Sequence, residues 1–589
     1  MIALAILVPL LIGVAAIALA DRRSAKYIAL GASIATLAMV PFSTGSASIQ
    51  WLSVGSYAID IVVSTAALNL MLVSLVAFMA PFVLFYAFGY MALPSEQKRF
   101  YAEMIVFELS MLLFAMSGSF VTLFIGWEFL SLTSYLLVGF WYERERAVRA
   151  ARKVISIVML GDLALLASIV LFFVAYGTLN FAGIVSARPS SMSLAYAAVS
   201  LLVIAVFTKS AQFPFHEWLA DAMEGPVPVS AMLHSTTMVK AGVFVAMVLL
   251  PLLIAFHFGI VLLVFGLVTA VLATFDAMRE RHIKKVLAYS TVQELSLMFV
   301  ALGANALLAA VYFFIAQSFY KALLFFSAGS SMTATGKDSI NDISGMSSNR
   351  LLFISTAFGV LALAGFVPFD GFFASAGLGY AFSSNLLVYA LLLAISMLTS
   401  FFIFRWLALC SKPATEEREK IIYKALPNSM LIPGAVLAAL AAAAGILFLF
   451  VPQLFAKVPY ALTGKPLAID WPGAIAEMLA ASVGALLAWR IYKYAPGKSK
   501  TAYAHSHAAN MLQSTKAFNL AYALLAYAFY AFASGVYYFE EYLRILFDDI
   551  AVAVGIAASA TRRIASGQLS AYVAAFVIGF VLLLLVLVI

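Results

Sequence analysis

The sequence contains little cysteine and little charge, and each shortage excludes a class of protein. Cys410 is the only cysteine among 589 residues, which excludes a disulfide framework and any cysteine-ligated metal or iron–sulfur cluster in this chain. Charged residues make up only 11% of the sequence and hydrophobic residues 65%. Soluble domains carry about 25% charged residues. The composition therefore indicates an integral membrane protein.

The long apolar runs predict about sixteen membrane-spanning helices, because roughly 20 apolar residues are needed to cross a bilayer. The first run lacks the basic segment of a cleavable signal, so we interpret it as the first span. The predicted spans are residues 2–20, 26–42, 61–91, 103–119, 120–142, 152–176, 193–213, 227–250, 252–277, 285–303, 305–330, 350–378, 381–411, 428–451, 472–492 and 569–589. The predicted fold class is an all-α polytopic membrane protein.

The basic residues lie mainly in the loops that follow odd-numbered spans. The opposite loops hold only Arg188, Lys457 and Lys465. Loops rich in lysine and arginine usually face the cytoplasm. Sixteen spans then predict that both termini face outward from a prokaryotic-type cytoplasmic membrane. Because the net charge of +8 resides in short loops between spans, we expect no nucleic-acid partner.

The most unusual stretch of the sequence places ionisable residues in an apolar context. Residues 208–242 read TKSAQFPFHEWLADAMEGPVPVSAMLHSTTMVKAG and include Lys209, His216, His234 and Lys240. A charged side chain at the centre of a membrane helix costs roughly 2.5 to 3.5 kcal/mol on insertion scales. Such residues usually face a partner or a wet cavity, so we expect a proton relay. The structural alternative is a salt-bridge cluster whose lysines extend to the membrane interface.

Two proline interruptions suggest an internal duplication. Phe213-Pro214 follows Lys209, and residues 365–368 read GFVP in a comparable span. Helices interrupted in corresponding halves are typical of inverted-repeat transporters with sites near the midplane. We therefore divide the chain at its predicted spans. The predicted regions are N-terminal spans (1–100), a first repeat (101–250), a second repeat (251–411) and additional spans (412–508).

Four segments resemble a known family. They are GWEFLSLTSYLLVGFWY (126–142), the stretch 208–243, IKKVLAYSTV (283–292) and YKALLFFSAGS (320–330). They resemble the antiporter-like subunits of respiratory complex I, whose superfamily includes Mrp-type antiporters and membrane-bound hydrogenases. The resemblance covers at least residues 100–380, and the C-terminal part is similar to the L-type subunit.

Hydropathy alone leaves residues 515–545 open between a span and an interfacial helix. The resemblance implies an amphipathic lateral helix over residues 509–566 and an anchoring span over residues 567–589. It also implies that the repeats 101–250 and 251–411 are antiporter-like half-channels.

The resemblance implies a proton pathway built from buried charges. Glu128 matches the family's glutamate that pairs with the lysine of the interrupted helix, here Lys209, and Asp162 matches an acid that modulates this pair. An acid beside a buried lysine stabilises its charged form. The structural alternatives are an interfacial position for Glu128 and, for Asp162, an ion pair with the basic cluster 149–153. The other implied proton carriers are His234, Lys240 and Lys321.

The remaining polar residues of these spans are expected to play supporting roles. His216 lies just beyond the Pro214 break, where a structural role is as reasonable as a functional one. Glu294 supports the pathway, although a position at the membrane interface is the preferred interpretation for Glu294 and for Asp276.

Two departures from the family pattern affect the second half-channel. Phe313 and Gln317 occupy positions where the L-type pattern has histidines, and Gln317 can hold water without exchanging charge. Ser375 occupies the position where a lysine is expected. We expect Asp370, close to the Pro368 break, to replace this lysine as the terminal carrier. The alternative for Asp370 is a helix cap.

The resemblance implies a proton-translocating subunit that couples electron transfer to pumping in a complex I-related NADH/quinone-type oxidoreductase. We expect no cofactor in this chain, with FMN, iron–sulfur clusters and quinone elsewhere in the assembly. The expected partners are adjacent antiporter-like membrane subunits along the lateral helix, the lipid bilayer, and protons, with Na⁺ as the alternative ion. The alternative functions are a subunit of a hydrogenase or sulfur-reducing complex, a Mrp-type Na⁺/H⁺ antiporter, or a structural arm subunit with a decayed pathway.

Overall fold

The computed structural model describes most of the chain. It covers residues 2–450 except 44, 55, 56 and 415, then residues 469–493, and five single positions between 541 and 552. The chain divides into two compact units, Met1–Tyr527 and Ala528–Ile589. In the second unit, Arg544 forms an ion pair with Glu541. The predicted lateral helix (509–566) and anchoring span (567–589) lie outside the described residues, apart from those five positions.

The described part of the chain is mostly helical. Up to residue 255 the helices are α1 (Val8–Leu19), α2 (Ala25–Met39), α3 (Ala67–Tyr90), α4 (Pro94–Ala115), α5 (Phe120–Val138), α6 (Glu145–Tyr176), α7 (Phe181–Ser186), α8 (Met192–Lys209), α9 (Glu217–Asp221), α10 (Val227–Ser235), α11 (Met238–Val248) and α12 (Leu250–Ala255). Beyond it they are α13 (Gly259–Arg279), α14 (Ile283–Gly303), α15 (Leu307–Thr335), α16 (Arg350–Leu363), α17 (Asp370–Ala381), α18 (Leu386–Cys410), α19 (Glu417–Lys424), α20 (Asn428–Phe450) and α21 (Trp471–Lys493).

Within the described ranges, 12 helical segments are long and apolar enough to cross a membrane. Leu4–Leu19 and Arg350–Leu363 are shorter apolar helices. A polytopic membrane protein is therefore confirmed, whereas the count of about sixteen spans stays a prediction.

A small β-hairpin corrects the prediction of an all-α fold. Strands β1 (Ala47–Val54) and β2 (Tyr57–Val63) pair antiparallel, with Ile49 opposite Ile61. The third span accordingly begins at Ala67 instead of residue 61. The sequence of β2, YAIDIVV, is rich in the β-branched residues that favour strands. The hairpin is anchored to α5, because the Thr122 hydroxyl donates to the Val62 carbonyl oxygen at 2.8 Å.

The two predicted helix interruptions are confirmed. Helix α8 ends at Lys209 and α9 begins at Glu217, while α16 ends at Leu363 and α17 begins at Asp370. Each interruption contains a cis X-Pro peptide, at Phe213-Pro214 and Val367-Pro368. Proline lacks the amide hydrogen that would continue a helix. Both halves of the chain therefore carry an interrupted helix at corresponding places, as an inverted repeat requires.

A third interruption was not predicted from the sequence. The expected span 227–250 is divided into α10 and α11 at Thr236 and Thr237. The Thr237 hydroxyl donates to the Met232 carbonyl oxygen at 2.7 Å. A threonine side chain that binds a nearby carbonyl offers the backbone an alternative to regular helix. The break follows directly after His234 and precedes Lys240.

Close backbone packing joins this segment to the interrupted helix α8. A Cβ atom on Gly242 would lie only 2.3 Å from the Val206 carbonyl oxygen, so glycine lets α11 approach α8 closely, as small residues do in membrane bundles. The Ser210 hydroxyl donates to the Val239 carbonyl oxygen at 2.8 Å. In an apolar 18-residue stretch of the segment Val227–Val248, 94% of the residues are buried inside the protein. Its ionisable residues therefore face protein and not lipid.

Candidate functional site

Lys209 occupies the last residue of α8, where the interruption brings its side chain against α5 and α6. The side chain is 1% exposed. Its ammonium donates to the Ser131 hydroxyl and, at 3.3 Å, to the Trp127 carbonyl oxygen. It also lies 4.5 Å from the centre of the Trp127 ring, a distance typical of a cation–π contact. The ammonium is thus enclosed by polar groups of a single turn of α5.

Asp162 of α6 is the carboxylate in ion-pair contact with Lys209, at 3.4 Å. The Trp127 indole donates to this carboxylate at 2.5 Å and the Ser131 hydroxyl at 2.8 Å. Glu128 lies outside ion-pair distance of Lys209 but still interacts with it electrostatically, so the functional pairing of Glu128 with Lys209 stays a prediction. Trp127 and Ser131 are four residues apart and share one face of α5, whereas Glu128 follows Trp127 and points elsewhere on the helix. Glu128 is partly exposed.

The structural alternative for Asp162 is an ion pair with the basic cluster 149–153, and Lys153 of this cluster has other partners. Its ammonium lies 3.3 Å from a Glu217 oxygen and 3.0 Å from an Asp221 oxygen. Lys153 thus pairs with α9 and Arg149 with Glu145 of its own helix, whereas Asp162 is in ion-pair contact with Lys209.

Lys240 of α11 lies fully buried against α15. Its ammonium donates to the Phe314 carbonyl oxygen at 2.5 Å and to the Ser318 hydroxyl at 2.7 Å. It also lies 4.5 Å from the centre of the Phe314 ring. Among the residues that the structure describes, no carboxylate lies within ion-pair distance of Lys240. Neutral oxygens and an aromatic face therefore provide its immediate surroundings.

Lys321 of α15 forms a fully buried ion pair with Glu294 of α14, at 2.9 Å. The ammonium also donates to the Ser290 hydroxyl at 2.6 Å. Glu294 accepts hydrogen bonds from Gln317 and from the Tyr320 hydroxyl, both at 3.0 Å. Glu294 is 3% exposed, so its predicted position at the membrane interface is wrong. The sequence does not show that Glu294 contacts Lys321, because this contact depends on how α14 packs against α15.

Helix α15 connects the second and third lysines. Phe314, Ser318 and Lys321 follow one another at intervals of four and three residues, so they share one helix face. The hydrogen bond from the Ser210 hydroxyl to the Val239 carbonyl oxygen connects the residue after Lys209 with the residue before Lys240. Lys209, Lys240 and Lys321 therefore form a continuous buried series, which we call the lysine row. It passes from α8 through α11 to α15.

Serine residues beside the lysines were missed in the sequence. Ser131, Ser318 and Ser290 each accept a hydrogen bond from one member of the lysine row. Each serine lies four residues from another residue of the same site, in the pairs Trp127–Ser131, Phe314–Ser318 and Ser290–Glu294. This helical spacing is the signal that would have revealed them.

The two histidines of the 208–242 stretch are both buried. His234 lies in the last turn of α10, with its ring 4.8 Å from the Phe325 ring. Neither ring nitrogen of His234 has a hydrogen-bond partner among the described residues. His216 precedes α9, with its ring 6.2 Å from the Phe213 ring. The proton-carrying role of His234 and the supporting role of His216 stay predictions.

The two residues singled out near the second interruption occupy different surroundings. Asp370 is the first residue of α17, and its carboxylate accepts a hydrogen bond from the Gly371 amide at 2.9 Å. Its other oxygen is buried without a hydrogen-bond partner in the described structure. Ser375 lies one turn further along α17 and lines a cavity together with Glu294. The role of Asp370 as terminal carrier stays a prediction.

No three His, Cys, Asp or Glu side chains come together as metal ligands in the described ranges. The ionisable groups occur instead as isolated lysines and lysine–carboxylate pairs. Such groups can hold and release protons. The expectation of cofactors elsewhere in an assembly stays a prediction.

Comparison with known families identifies the region that carries this site. Residues 117–402 match the family described as NADH:quinone oxidoreductase/Mrp antiporter, and residues 51–101 match the N-terminus of complex I chain 5. Every residue of the lysine row lies inside the first match. The predicted resemblance is therefore confirmed.

The curated relatives include subunits of quinone oxidoreductases and a subunit of a Na⁺/H⁺ antiporter. The chain is 38% identical over 371 residues to NADH-quinone oxidoreductase subunit L of Campylobacter jejuni, which covers 61% of each protein. It is 36% identical to NAD(P)H-quinone oxidoreductase chain 5 of Synechocystis sp., over 61% of this chain and 55% of that one. It is 34% identical to a Na⁺/H⁺ antiporter subunit from Alkalihalophilus pseudofirmus, over 55% of this chain and 43% of that one. The chain thus spans less than two thirds of each relative.

A solved structure shares the fold. The Mrp complex from Dietzia sp. DQ12-45-1b contains a chain that superposes with a TM-score of 0.72 over 90% of this chain and 63% of that one. The sequence identity of 24% makes this a likeness of fold alone. The likeness of fold therefore extends well beyond residues 117–402.

Proposed function

We propose that this chain is an L-type antiporter-like subunit that moves protons in a complex I-related quinone oxidoreductase. The observation that carries the proposal is the lysine row, in which Lys209, Lys240 and Lys321 are each at most 1% exposed. Burying one charge in a membrane protein costs free energy, so three buried lysines in one row indicate a functional site. Similarity to NADH-quinone oxidoreductase subunit L supports the choice of complex.

The serine hydroxyls explain how the lysines tolerate both protonation states. A hydroxyl accepts a hydrogen bond from an ammonium and can donate one to a neutral amine. In the described structure each hydroxyl donates its single hydrogen elsewhere, Ser131 to the Asp162 carboxylate, Ser318 to the Phe314 carbonyl oxygen and Ser290 to the Leu287 carbonyl oxygen. Each serine satisfies a neutral lysine only when its hydroxyl rotates toward the amine. A proton can then move along the row without leaving a buried nitrogen unsatisfied.

The carboxylates at the two ends of the row provide a way to drive transfer. Asp162 stabilises the ammonium of Lys209 and Glu294 stabilises that of Lys321, at 3.4 and 2.9 Å. Displacing either carboxylate removes this stabilisation, so the lysine releases its proton toward a neighbouring site. Electron transfer in other subunits would act on these pairs through charge rearrangement along the membrane arm.

The partners of the chain follow from the same proposal. Its neighbours would be other antiporter-like membrane subunits of the assembly in a prokaryotic cytoplasmic membrane, and residues 509–566 would provide the lateral helix that contacts them. FMN, iron–sulfur clusters and quinone would be bound by those other subunits. The sequence predicts Asp370 at the exit of the second half-channel, an assignment that proton pumping by an Asp370→Asn complex would test.

The test measures proton pumping by the purified complex in sealed vesicles. We expect Lys209→Ala to reduce pumping at least about tenfold while the complex still assembles. Lys424→Ala is a matched control, because Lys424 is exposed on α19, away from the row. Normal pumping by an assembled Lys209→Ala complex would contradict a proton pathway and favour a structural arm subunit.

The second candidate function is a component of a Mrp-type Na⁺/H⁺ antiporter. It is favoured by the 34% identity to the Alkalihalophilus antiporter protein and by the fold of the Mrp complex. The proteins that co-purify with a tagged chain distinguish the two. Quinone-site and iron–sulfur subunits support the oxidoreductase, whereas a complex without them that exchanges Na⁺ for protons supports the antiporter. A hydrogenase-like catalytic pair would point to a hydrogenase or sulfur-reducing complex.

A further inference from the structure

A cavity next to the second interruption contains a carboxylate that the family pattern does not predict. The cavity lies between α14, α15, α17, α18 and α21, and its polar lining includes Gln293, Glu294, Ser375, Thr399 and Glu477. Its free volume is about 40 Å³, which exceeds the roughly 10–15 Å³ that one water molecule requires. Water can therefore occupy the space between the two glutamates.

Glu477 lies on α21, outside the region that matches the family. It is 7% exposed, and no cation among the described residues lies within ion-pair distance of its carboxylate. A buried carboxylate without a cation is unfavourable when charged, so it requires water or a proton. Access to the cavity supplies the water.

Packing holds Glu477 against the helix that carries Ser375. A Cβ atom on Gly379 of α17 would lie only 2.2 Å from a Glu477 carboxylate oxygen. Glycine at this position thus allows the carboxylate to approach the backbone of α17, one turn beyond Ser375. Asp370 is not among the residues that line the cavity, and one of its oxygens is occupied by the Gly371 amide.

We propose that Glu477 is the proton-carrying residue that replaces the missing lysine of the second half-channel. The proposal rests on the function proposed above and names a further residue of the same pathway. A protonated Glu477 passes its proton through cavity water to the Glu294 carboxylate, and the Glu477 carboxylate takes up another proton from water outside the cavity before the next transfer. Each transfer moves one proton and exchanges the charged and neutral states of the two carboxyl groups. Ser375 provides a hydroxyl to the water between them.

The experiment compares substitutions of Glu477 in the assembled complex reconstituted into vesicles. We expect Glu477→Gln to reduce proton pumping at least about fivefold, because glutamine keeps the shape of the side chain and cannot release a proton at neutral pH. Glu477→Asp retains a titratable carboxyl and should restore at least half of the pumping. A merely structural role predicts the opposite order, since glutamine preserves the packing against Gly379 better than the shorter aspartate.

Ser482→Ala is the control on the same helix, because Ser482 bonds to the Met478 carbonyl oxygen of its own helix and does not line the cavity. It should pump normally. Assembly of every variant is checked by the amount of complex that co-purifies with the tagged chain. Glu477→Gln complexes that assemble and pump normally overturn the proposal.

Two reference variants separate this proposal from the proposed function. If Lys209→Ala pumps normally, the proton pathway itself fails. If Lys209→Ala is inactive and Glu477→Gln is normal, only the assignment of Glu477 fails. Asp370→Asn tests the competing exit. Loss of pumping in Asp370→Asn with normal pumping in Glu477→Gln assigns the exit to Asp370 and rejects Glu477.

Discussion

At the residue scale, the free energy of burying charge explains the composition of the site. The ammonium of each lysine in the row meets at least two acceptors, which for the two end lysines include a carboxylate. A buried ion pair contributes little net stability, yet removing one partner destabilises by about 3–5 kcal/mol because the other charge is left alone. Substitutions that neutralise one partner should therefore act on transport and on stability together.

We predict that Asp162→Asn impairs the protein more than Glu128→Gln. Asp162 contacts Lys209 at 3.4 Å, whereas Glu128 makes no such contact. Asp162→Asn should reduce pumping at least about tenfold, and Glu128→Gln only a few-fold. The measurement is proton uptake by vesicles with equal amounts of assembled complex. A larger loss in Glu128→Gln would show that the working state pairs Lys209 with Glu128, as the family pattern implies.

We predict that the stability and the transport defects of the Lys321–Glu294 pair can be separated. Lys321→Met alone leaves the Glu294 carboxylate buried without its cation, which should lower the melting temperature of the purified complex. Lys321→Met combined with Glu294→Gln removes both charges and should restore most of that loss. Pumping should stay absent in both variants. Restored pumping in the double variant would exclude this pair from the proton pathway.

At the element scale, interrupted helices place the side chains of the site. The breaks after α8 and α16 contain proline, whereas the break between α10 and α11 depends on the Thr237 hydroxyl. A helix end inside a bundle leaves backbone groups that polar side chains or water must satisfy. The breaks therefore bring polar groups into the protein interior, where Lys209 and His234 lie.

We predict a pH-dependent helix cap at His282, which immediately precedes α14. Its Nδ1 accepts a hydrogen bond from the Lys284 amide at 3.1 Å. Burial, reinforced by the nearby Lys284 ammonium, lowers the pKa of His282 from 6.5 to about 4. Between these values the unfolded state binds more protons than the folded state. The stabilisation by neutral His282 is thus complete above about pH 6.5 and declines as the pH falls toward 4.

The test compares melting temperatures of the purified protein at pH 7.5 and pH 5. The His282→Asn variant can still cap the helix but does not titrate, so it should lose less stability on acidification than the wild type. The expected difference in the free energy of unfolding lost between pH 7.5 and pH 5 is about 2 kcal/mol, since about 1.5 pH units below 6.5 each contribute about 1.4 kcal/mol. Equal acid sensitivity in both proteins would contradict this assignment.

At the scale of the whole molecule, the charge of the loops predicts the orientation in the membrane. Glu143 and Arg188 are exposed residues on either side of α6. The positive-inside rule places the first in the cytoplasm and the second outside. A membrane-impermeant thiol reagent should therefore label Glu143→Cys only in inside-out vesicles and Arg188→Cys only in intact cells. Cys410 is fully buried, so it should contribute little background. The reverse pattern would invert the predicted topology.

Much of the architecture was predictable because it depends on local sequence. Apolar runs of sufficient length predicted the spans, and Pro214 and Pro368 predicted the interruptions at the right places. The members of the lysine row were predictable because a lysine in an apolar run is costly unless it faces protein. The hairpin of β1 and β2 was missed because its apolar strands merge with the adjacent span in a hydropathy pattern.

Sequence by itself thus determined the class of the protein, its interrupted helices and the lysines of its site. Tertiary structure decided which groups those lysines contact. Asp162 and Glu294 became partners, and Glu128 did not, because the rotation of each helix and the neighbour it faces depend on contacts between distant segments. The same reason hid Glu477: 102 positions separate it from Ser375 in the sequence, yet the packing of α21 against α17 brings both to one cavity.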